Sequence, residues 1–429
     1  MIYELSTINY NMNIQIKAST KNINGEIILP GSKSESNRAL IMRALCKQPF
    51  EIKNLSVADD TVTLDHLLST QILSSSHNKA TIDVGPAGTA MRFLTAFLAV
   101  TPGEWLLTGT ARMLERPIKL LVDALQELGA DIEFAGNEGF PPLKIRGKDL
   151  KLTNEIAIDG SVSSQYISAL LMIAPTLPQG LILNLTGVVA SRPYIEMTLA
   201  MMAELGIEHT WSENTIIIEK QDYTSNDLFI EPDWSGSSYW YSLAALSDKA
   251  DIKLTGLKTN SLQGDSVISG MMENFGVKTD FLKDGIRLSK VSSTVTINFI
   301  DFEHCPDIAQ TLAVICAGLN HNCTFTGLES LKIKETDRVA ALQNELGKFG
   351  VTIKQDGLNY QLDCSGSTIG KSDDAEPVFI NTYHDHRMAM AFAPLTLKVD
   401  QLEIEDPKVT GKSYPHFWDD LDKVGIHQI

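Results

Sequence analysis

A chain of 429 residues, 43% hydrophobic and 21% charged, holds enough apolar material for two ordinary cores and has no low-complexity stretch that would suggest disorder. Its net charge of −17 argues against a nucleic-acid or acidic-membrane partner, and no apolar run is long enough to span a bilayer. The five cysteines, Cys46, Cys305, Cys316, Cys323 and Cys364, are odd in number and form no Cys-x-x-Cys pair, so a reduced cytoplasmic setting is expected, with neither a disulfide framework nor a zinc site.

The opening residues lack a basic segment followed by an apolar core, so no secretory signal is read there. Strands are expected at 14–17 and 26–29. A first family of helices, apolar on most sides and therefore buried, is expected at 39–46, 89–100, 164–174, 238–246, 308–317 and 388–397. Short strands follow several of them, at 105–108, 181–185, 252–254 and 324–326. A second, amphipathic family ends at Gly129, Gly206, Gly276, Gly350 and Gly425, each flanked by apolar residues, and successive glycines lie 77, 70, 74 and 75 positions apart. Glycine at that place reads as the left-handed residue that closes a helix. A sixth helix, 60–68, sits one period upstream without the glycine. Hairpins follow the first four glycines, as at 207–211 with 215–219, and at 351–355 with 360–364 through Asp356-Gly357.

The repeating unit is strand, buried helix, strand, amphipathic helix, strand, strand. Six such units of about 72 residues account for the length. The last unit ends too soon after Gly425 for its own hairpin, and the two N-terminal strands are expected to supply it. That places both termini in one domain, 1–30 plus 232–429, and leaves 31–231 as the other.

The polar motifs precede these helices. They are Gly31-Ser32-Lys33-Ser34-Glu35-Ser36-Asn37-Arg38, Ala87-Gly88-Thr89-Ala90-Met91-Arg92, Glu115-Arg116-Pro117 and Gly160-Ser161-Val162-Ser163-Ser164-Gln165, then Ser191-Arg192-Pro193-Tyr194, His304-Cys305-Pro306-Asp307, Lys334-Glu335-Thr336-Asp337-Arg338, Asp385-His386-Arg387 and Gly411-Lys412-Ser413-Tyr414-Pro415. Free N–H groups and the positive dipole end make helix N-termini anion sites. Lys33, Arg38, Arg116, Arg338, Arg387 and Lys412 add formal charge, so an acidic protein gains a cationic pocket if these starts converge on one cleft. Ser235–Ser238 read as ordinary caps, Asp233 as structural, and Gly31–Ser34 lacks the spacing of an ATP-binding loop.

These motifs, in this order and over about residues 17–418, resemble the 5-enolpyruvylshikimate-3-phosphate synthases. The resemblance implies an inside-out α/β barrel of six βαβαββ repeats, three per domain, with the active site between the domains. It implies transfer of the enolpyruvyl group of phosphoenolpyruvate to the 5-hydroxyl of shikimate 3-phosphate, without metal or organic cofactor, by a monomer. Carried over residue by residue, Lys33 touches both substrates. Ser34, Arg38, Ser163, Ser164, Gln165, Ser191 and Tyr194 hold shikimate 3-phosphate, and Lys334 sits on the hydroxyl side. Gly88, Arg116, Gln165, Arg338, Arg387 and Lys412 hold phosphoenolpyruvate. Asp307 faces the 5-hydroxyl and Glu335 the methylene carbon, so Asp307, Glu335 and Lys33 form the catalytic set. Pro86 and Phe93 depart from the family pattern. The alternatives are a UDP-N-acetylglucosamine enolpyruvyl transferase, against which the loop Ala111-Arg112-Met113-Leu114-Glu115 lacks a cysteine, and a non-catalytic homologue, against which the intact charged set argues.

Overall fold

The computed structural model describes residues 13–73, 79–161, 163–189, 191–292, 295–371 and 376–429. Val162 of the serine-rich motif and the opening residues 1–12 lie outside these. Five four-stranded sheets share one strand order. In the simplest, Lys79–Asp83 runs parallel to Gly103–Thr108, which pairs antiparallel with Leu143–Gly147, which pairs antiparallel with Asp131–Phe134. The sheet built on Glu155–Asp159 and Leu181–Thr186 repeats this order, as does that on Phe299–Asp301 and Cys323–Thr326. Strands such as Leu143–Gly147 alternate buried and exposed, so one face meets helices and the other meets water.

The two remaining four-stranded sheets recruit the N-terminus, in a way that differs from the expected hairpin. Ile14–Ala18 enters the last sheet between Gln401–Ile404 and Ile426–Gln428. The short tail after Gly425 is thus a strand itself and needs one partner, not two. Asn22–Ile28 goes elsewhere, running parallel to Lys249–Thr255 as the first strand of the unit that continues at Trp234. The sixth sheet is only the parallel pair Ile52–Lys53 and Leu228–Phe229, so the unit carrying the first helix, Lys33–Leu45, is abbreviated.

The helices occupy the inside of this arrangement, the sheets the outside. In Gly88–Val100 only Thr89 and Val100 escape full burial. Ser164–Ile173, Trp234–Leu246 and Ala309–Gly318 are similarly enclosed. Gly129, Gly206, Gly276, Gly350 and Gly425 all have positive φ, from 73° to 103°, as helix-closing glycines require. The buried apolar residues form two clusters. One runs from Ala39 to Ile230, the other joins Ile16–Leu29 to residues 234–426.

The chain passes between the clusters twice at one place. Gly31 and Pro232 form an isolated antiparallel bridge, flanked by Ser32 N–H to the Glu231 carbonyl (2.8 Å) and Asp233 N–H to the Pro30 carbonyl (2.9 Å). A Cβ on Gly31 would collide with the Asn54 carbonyl, so only glycine allows this close approach. Among the described residues no helix is long and apolar enough to cross a membrane, and all five cysteines are free thiols.

Candidate active site

The centre of the site is one buried guanidinium. Asp337 caps helix Arg338–Gly347 by accepting from Val339 N–H (3.1 Å) and Ala340 N–H (3.0 Å), which turns Arg338, the first helical residue, inward. Arg338 is 2% exposed and meets three carboxylates: Asp385 through Nε (2.7 Å) and Nη2 (3.4 Å), Asp307 through Nη1 (3.3 Å) and Glu335 through Nη2 (2.9 Å). Two of these acids hold a second cation. Arg387 Nη2 lies 3.0 Å from Asp307 Oδ2, and Lys412 Nζ lies 3.0 Å from Glu335 Oε1. Asp385 is oriented by accepting from Arg387 N–H (2.9 Å), after two left-handed residues, Tyr383 and His384, both at φ 55°. Consecutive non-glycine residues in that region store strain that the surrounding contacts must hold.

The electrostatics follow from this geometry. Burial works to raise the Asp307 carboxyl, but Arg387, Lys334, Arg338 and Lys33 overcome it and hold the group well below the usual carboxylate range. Glu335 is likewise depressed, with Lys412, Arg338 and Arg116 outweighing burial. Burial lowers Lys334, Asp307 pushing the other way. Burial, then Lys33 and Arg387, drives the His386 imidazole well below its ordinary range, so its 3.5 Å approach to Asp385 joins a neutral ring to a carboxylate.

The opposite wall, from residues 33–198, is built from hydroxyls. Arg38 Nε donates to Thr198 Oγ1 (2.7 Å), Nη1 to the Ser34 carbonyl (2.8 Å), and Nη2 to Ser168 Oγ (3.0 Å) and the Tyr194 carbonyl (3.3 Å). Burial lowers this guanidinium to about 10, so it stays charged at neutral pH. Ser163 caps helix Ser164–Ile173 by accepting from Gln165 N–H, and the Gln165 amide donates to Thr89 Oγ1 (3.1 Å). Ser164 is buried beside it. Ser191 has φ 52° at the start of helix Arg192–Glu204 and makes no cap, which leaves its hydroxyl for another partner. Lys33 pairs with Asp60 at 3.3 Å. Gly88 gives Arg116 its place, since a Cβ there would stand 3.0 Å from the guanidinium carbon. Arg116 makes no ion pair among the described residues, and its buried Nε has no hydrogen-bond partner.

One hydrogen bond joins the walls. The Tyr194 hydroxyl donates to Asp307 Oδ2 at 3.0 Å. The structure therefore gathers the predicted cations, but not as an unbalanced cluster. Lys33, Arg338, Arg387 and Lys412 each face a carboxylate, and Arg38 is engaged inside its wall. Sequence reasoning missed Asp60, Thr198 and Ser168, and gave no role to the buried Arg92, which donates to the Gly88 (3.1 Å) and Pro117 (3.3 Å) carbonyls. Thr198 carries a local signal, lying one helical turn after Tyr194 and donating to its carbonyl (2.8 Å). Phe93 is fully buried, with Arg38 5.5 Å above its ring, while Pro86 is exposed. Among the described residues no group of three His, Cys, Asp or Glu is arranged to hold a metal ion.

The family model for EPSP synthase (3-phosphoshikimate 1-carboxyvinyltransferase) matches residues 17–421. A protein named 3-phosphoshikimate 1-carboxyvinyltransferase from Bacteroides fragilis (strain YCH46) is 49% identical over 405 residues, covering 94% of this chain and 96% of that one. A protein of the same name from Photobacterium profundum is 37% identical over 421 residues, covering 93% and 96%. A solved EPSP synthase structure from Acinetobacter baumannii matches with a TM-score of 0.76 at 20% identity, over 97% of this chain and 99% of that one, a likeness of fold.

Proposed function

The chain belongs to the EPSP synthase (3-phosphoshikimate 1-carboxyvinyltransferase) family, and from that premise we propose that it transfers the enolpyruvyl group of phosphoenolpyruvate to the 5-hydroxyl of shikimate 3-phosphate and releases phosphate. The observation that carries the reading is the pair of acids on one buried arginine, Asp307 and Glu335, each bracketed by a second cation.

The reaction needs a proton delivered to the methylene carbon and one removed from the attacking hydroxyl. The hydroxyl oxygen bonds to the carbon bearing phosphate, giving a tetrahedral ketal. Phosphate then leaves by C–O cleavage as the new methyl returns its proton. An acid and a base must each work in both directions. We assign Asp307 to the hydroxyl and Glu335 to the carbon, with Lys33 assisting. Both carboxylates are ionised while the site is empty, so Glu335 takes up its proton once the anionic substrate adds negative charge beside it.

Shikimate 3-phosphate is assigned to Lys33, Ser34, Arg38, Ser163, Ser164, Gln165, Ser191, Tyr194 and Lys334. Phosphoenolpyruvate is assigned to Gly88, Arg116, Gln165, Arg338, Arg387 and Lys412, with Lys33 shared. Arg116, without an ion pair among the described residues, can meet an incoming carboxylate or phosphate, and the others stabilise charge that develops later. Two domains, 1–30 with 232–429 and 31–231, contribute one wall each. Because one chain supplies both, the working unit is read as a monomer in a reducing cytoplasm.

The test is phosphate release from phosphoenolpyruvate with each acceptor in turn. Release with shikimate 3-phosphate and none with UDP-N-acetylglucosamine is expected. The reverse pattern, or binding without release, would overturn the assignment.

A further inference from the structure

Arg338 and Arg387, two of the guanidiniums assigned to phosphoenolpyruvate, are joined through Asp385, and Asp385 closes a strained turn. The turn connects strand Val378–Ile380 to helix His386–Phe392. Within it Tyr383 and His384 both take φ 55°, and Asp385 N–H donates back to the Thr382 carbonyl (2.8 Å). Two adjacent left-handed residues that are not glycine keep this shape only where other contacts enforce it.

Those contacts converge on Glu345, a fully buried acid with no place in the proton transfers or the substrate contacts. Its Oε1 accepts from the Tyr383 hydroxyl (2.7 Å) and the Asn381 amide (3.2 Å). Its Oε2 accepts from Asn381 N–H (3.0 Å) and Lys348 Nζ (2.5 Å). Thr382 N–H goes instead to Glu405 Oε2 (2.9 Å). Of the donors that residues 381–383 give to acids, all but that one end on a single carboxylate.

The position of Glu345 in the chain explains why this acid is the one used. It lies in helix Arg338–Gly347, seven residues after Arg338. Seven residues make about two turns, or about 10.5 Å, so both side chains leave the same face of the helix. One helix therefore grips the turn twice. Arg338 Nε binds Asp385 Oδ2 (2.7 Å), and Glu345 binds Asn381 and Tyr383. Asp385 in turn accepts from Arg387 N–H (2.9 Å), at the start of the helix that carries the second guanidinium. Tying the helix to the strand does not need Glu345, because Lys348 Nζ already donates to the Phe379 carbonyl (2.7 Å).

We propose that Glu345 is a positioning residue for phosphoenolpyruvate: it fixes the 381–385 turn to the helix that bears Arg338, and so sets where Arg387 stands relative to Arg338. Its partners Asn381, Tyr383 and Lys348 are assigned to neither substrate, so its effect reaches the site only through Asp385 and Arg387.

This rests on the proposed function, and the measurement separates the two. Steady-state phosphate release is compared for the unaltered chain, Glu345→Ala, Glu345→Gln and Tyr383→Phe, varying each substrate in turn. Glu345→Ala should raise the KM for phosphoenolpyruvate by about 10- to 100-fold, the effect of a misplacement of about 1 Å, with the KM for shikimate 3-phosphate near its original value. Tyr383→Phe removes one hydrogen bond and should show the same pattern at about 3- to 10-fold. Glu345→Gln should recover most of the loss, because its oxygen keeps Asn381 N–H and its NH₂ can donate to the Tyr383 oxygen. If Glu345 serves stability alone, less protein folds while both KM values stay unchanged, and that result would overturn the role. Equal rises in both KM values would overturn it too. Where Glu345→Ala does not fold, Tyr383→Phe decides, and an unchanged KM for phosphoenolpyruvate in that variant counts against the proposal. An unaltered chain that releases no phosphate with shikimate 3-phosphate would instead overturn the function beneath it.

Discussion

The two walls of the site solve one problem in different ways. The wall from residues 33–198 buries two arginines, Arg38 and Arg92, and satisfies Arg38 with hydroxyls and carbonyls and Arg92 with carbonyls, so neither charge is held by a hydrogen-bonded carboxylate. The wall from residues 307–412 buries Arg338 and satisfies it with three carboxylates. Hydroxyls leave net positive charge for an anionic ligand. Carboxylates cancel it, but they are the groups that can carry protons. Under the proposed function, the comparison divides the work into holding the acceptor on one side and moving protons on the other.

The sharpest way to break the division is to remove the arginine of the acidic wall. Arg338→Ala leaves Asp307, Glu335 and Asp385 without their shared counter-charge, and Asp385 is fully buried. A cost of about 3–5 kcal/mol in urea unfolding is expected, as for other broken buried pairs. A loss under about 1 kcal/mol would mean that Arg387 and Lys412 suffice without it.

A smaller effect is expected where the walls share a ligand. Gly88→Ala pushes a methyl into the Arg116 guanidinium. The KM for phosphoenolpyruvate should rise by about 10- to 100-fold, since a displacement of about 1 Å is enough. The KM for shikimate 3-phosphate should stay near its original value. A change confined to shikimate 3-phosphate would place Arg116 on the other substrate.

The smallest effect is one of pH, at the crossover. Burial raises the Glu35 carboxyl from its ordinary 4.5 to about 7, against the hydrogen bond from the Glu231 N–H and with the help of the Glu231 charge. The folded group keeps its proton where the unfolded one has lost it, so stability falls as pH rises between those values. Asp307 and Glu335 have the opposite sign: both are depressed, and their contribution is lost only as pH falls below about 4. The difference in stability between Glu35→Gln and the unaltered chain should therefore move toward the variant by about 1–2 kcal/mol from about pH 5 to about pH 8. Thermal melts at the two pH values measure it, and a difference independent of pH would contradict the raised carboxyl.

Much of this was legible from periodicity and motif order. The recurring apolar-Gly-apolar endings located the helix closures, because only a left-handed residue satisfies the last carbonyls there. The helix starts located Lys33, Asp307, Glu335, Arg338, Arg387 and Lys412. Illegible were the partners that arrive from other units. Asp60 reaches Lys33, Ser168 reaches Arg38 and Tyr194 reaches Asp307 across 27, 130 and 113 positions of chain, distances at which no local rule operates. For the same reason the N-terminal strands read as one hairpin. Their alternation is identical whether they join each other or two separate sheets, and only the parallel register of 22–28 on 249–255 distinguishes the cases.

The most direct test of the division of work is the kinetics of Glu335→Gln beside Asp307→Asn. Each substitution keeps the size and removes the titrating proton. If the acidic wall moves protons, turnover falls by about 10²–10⁴-fold while both substrates bind at near-normal affinity. If instead Glu335→Gln weakens phosphoenolpyruvate binding and leaves turnover at saturation intact, Glu335 serves only to orient Arg338 and Lys412, and the account is wrong.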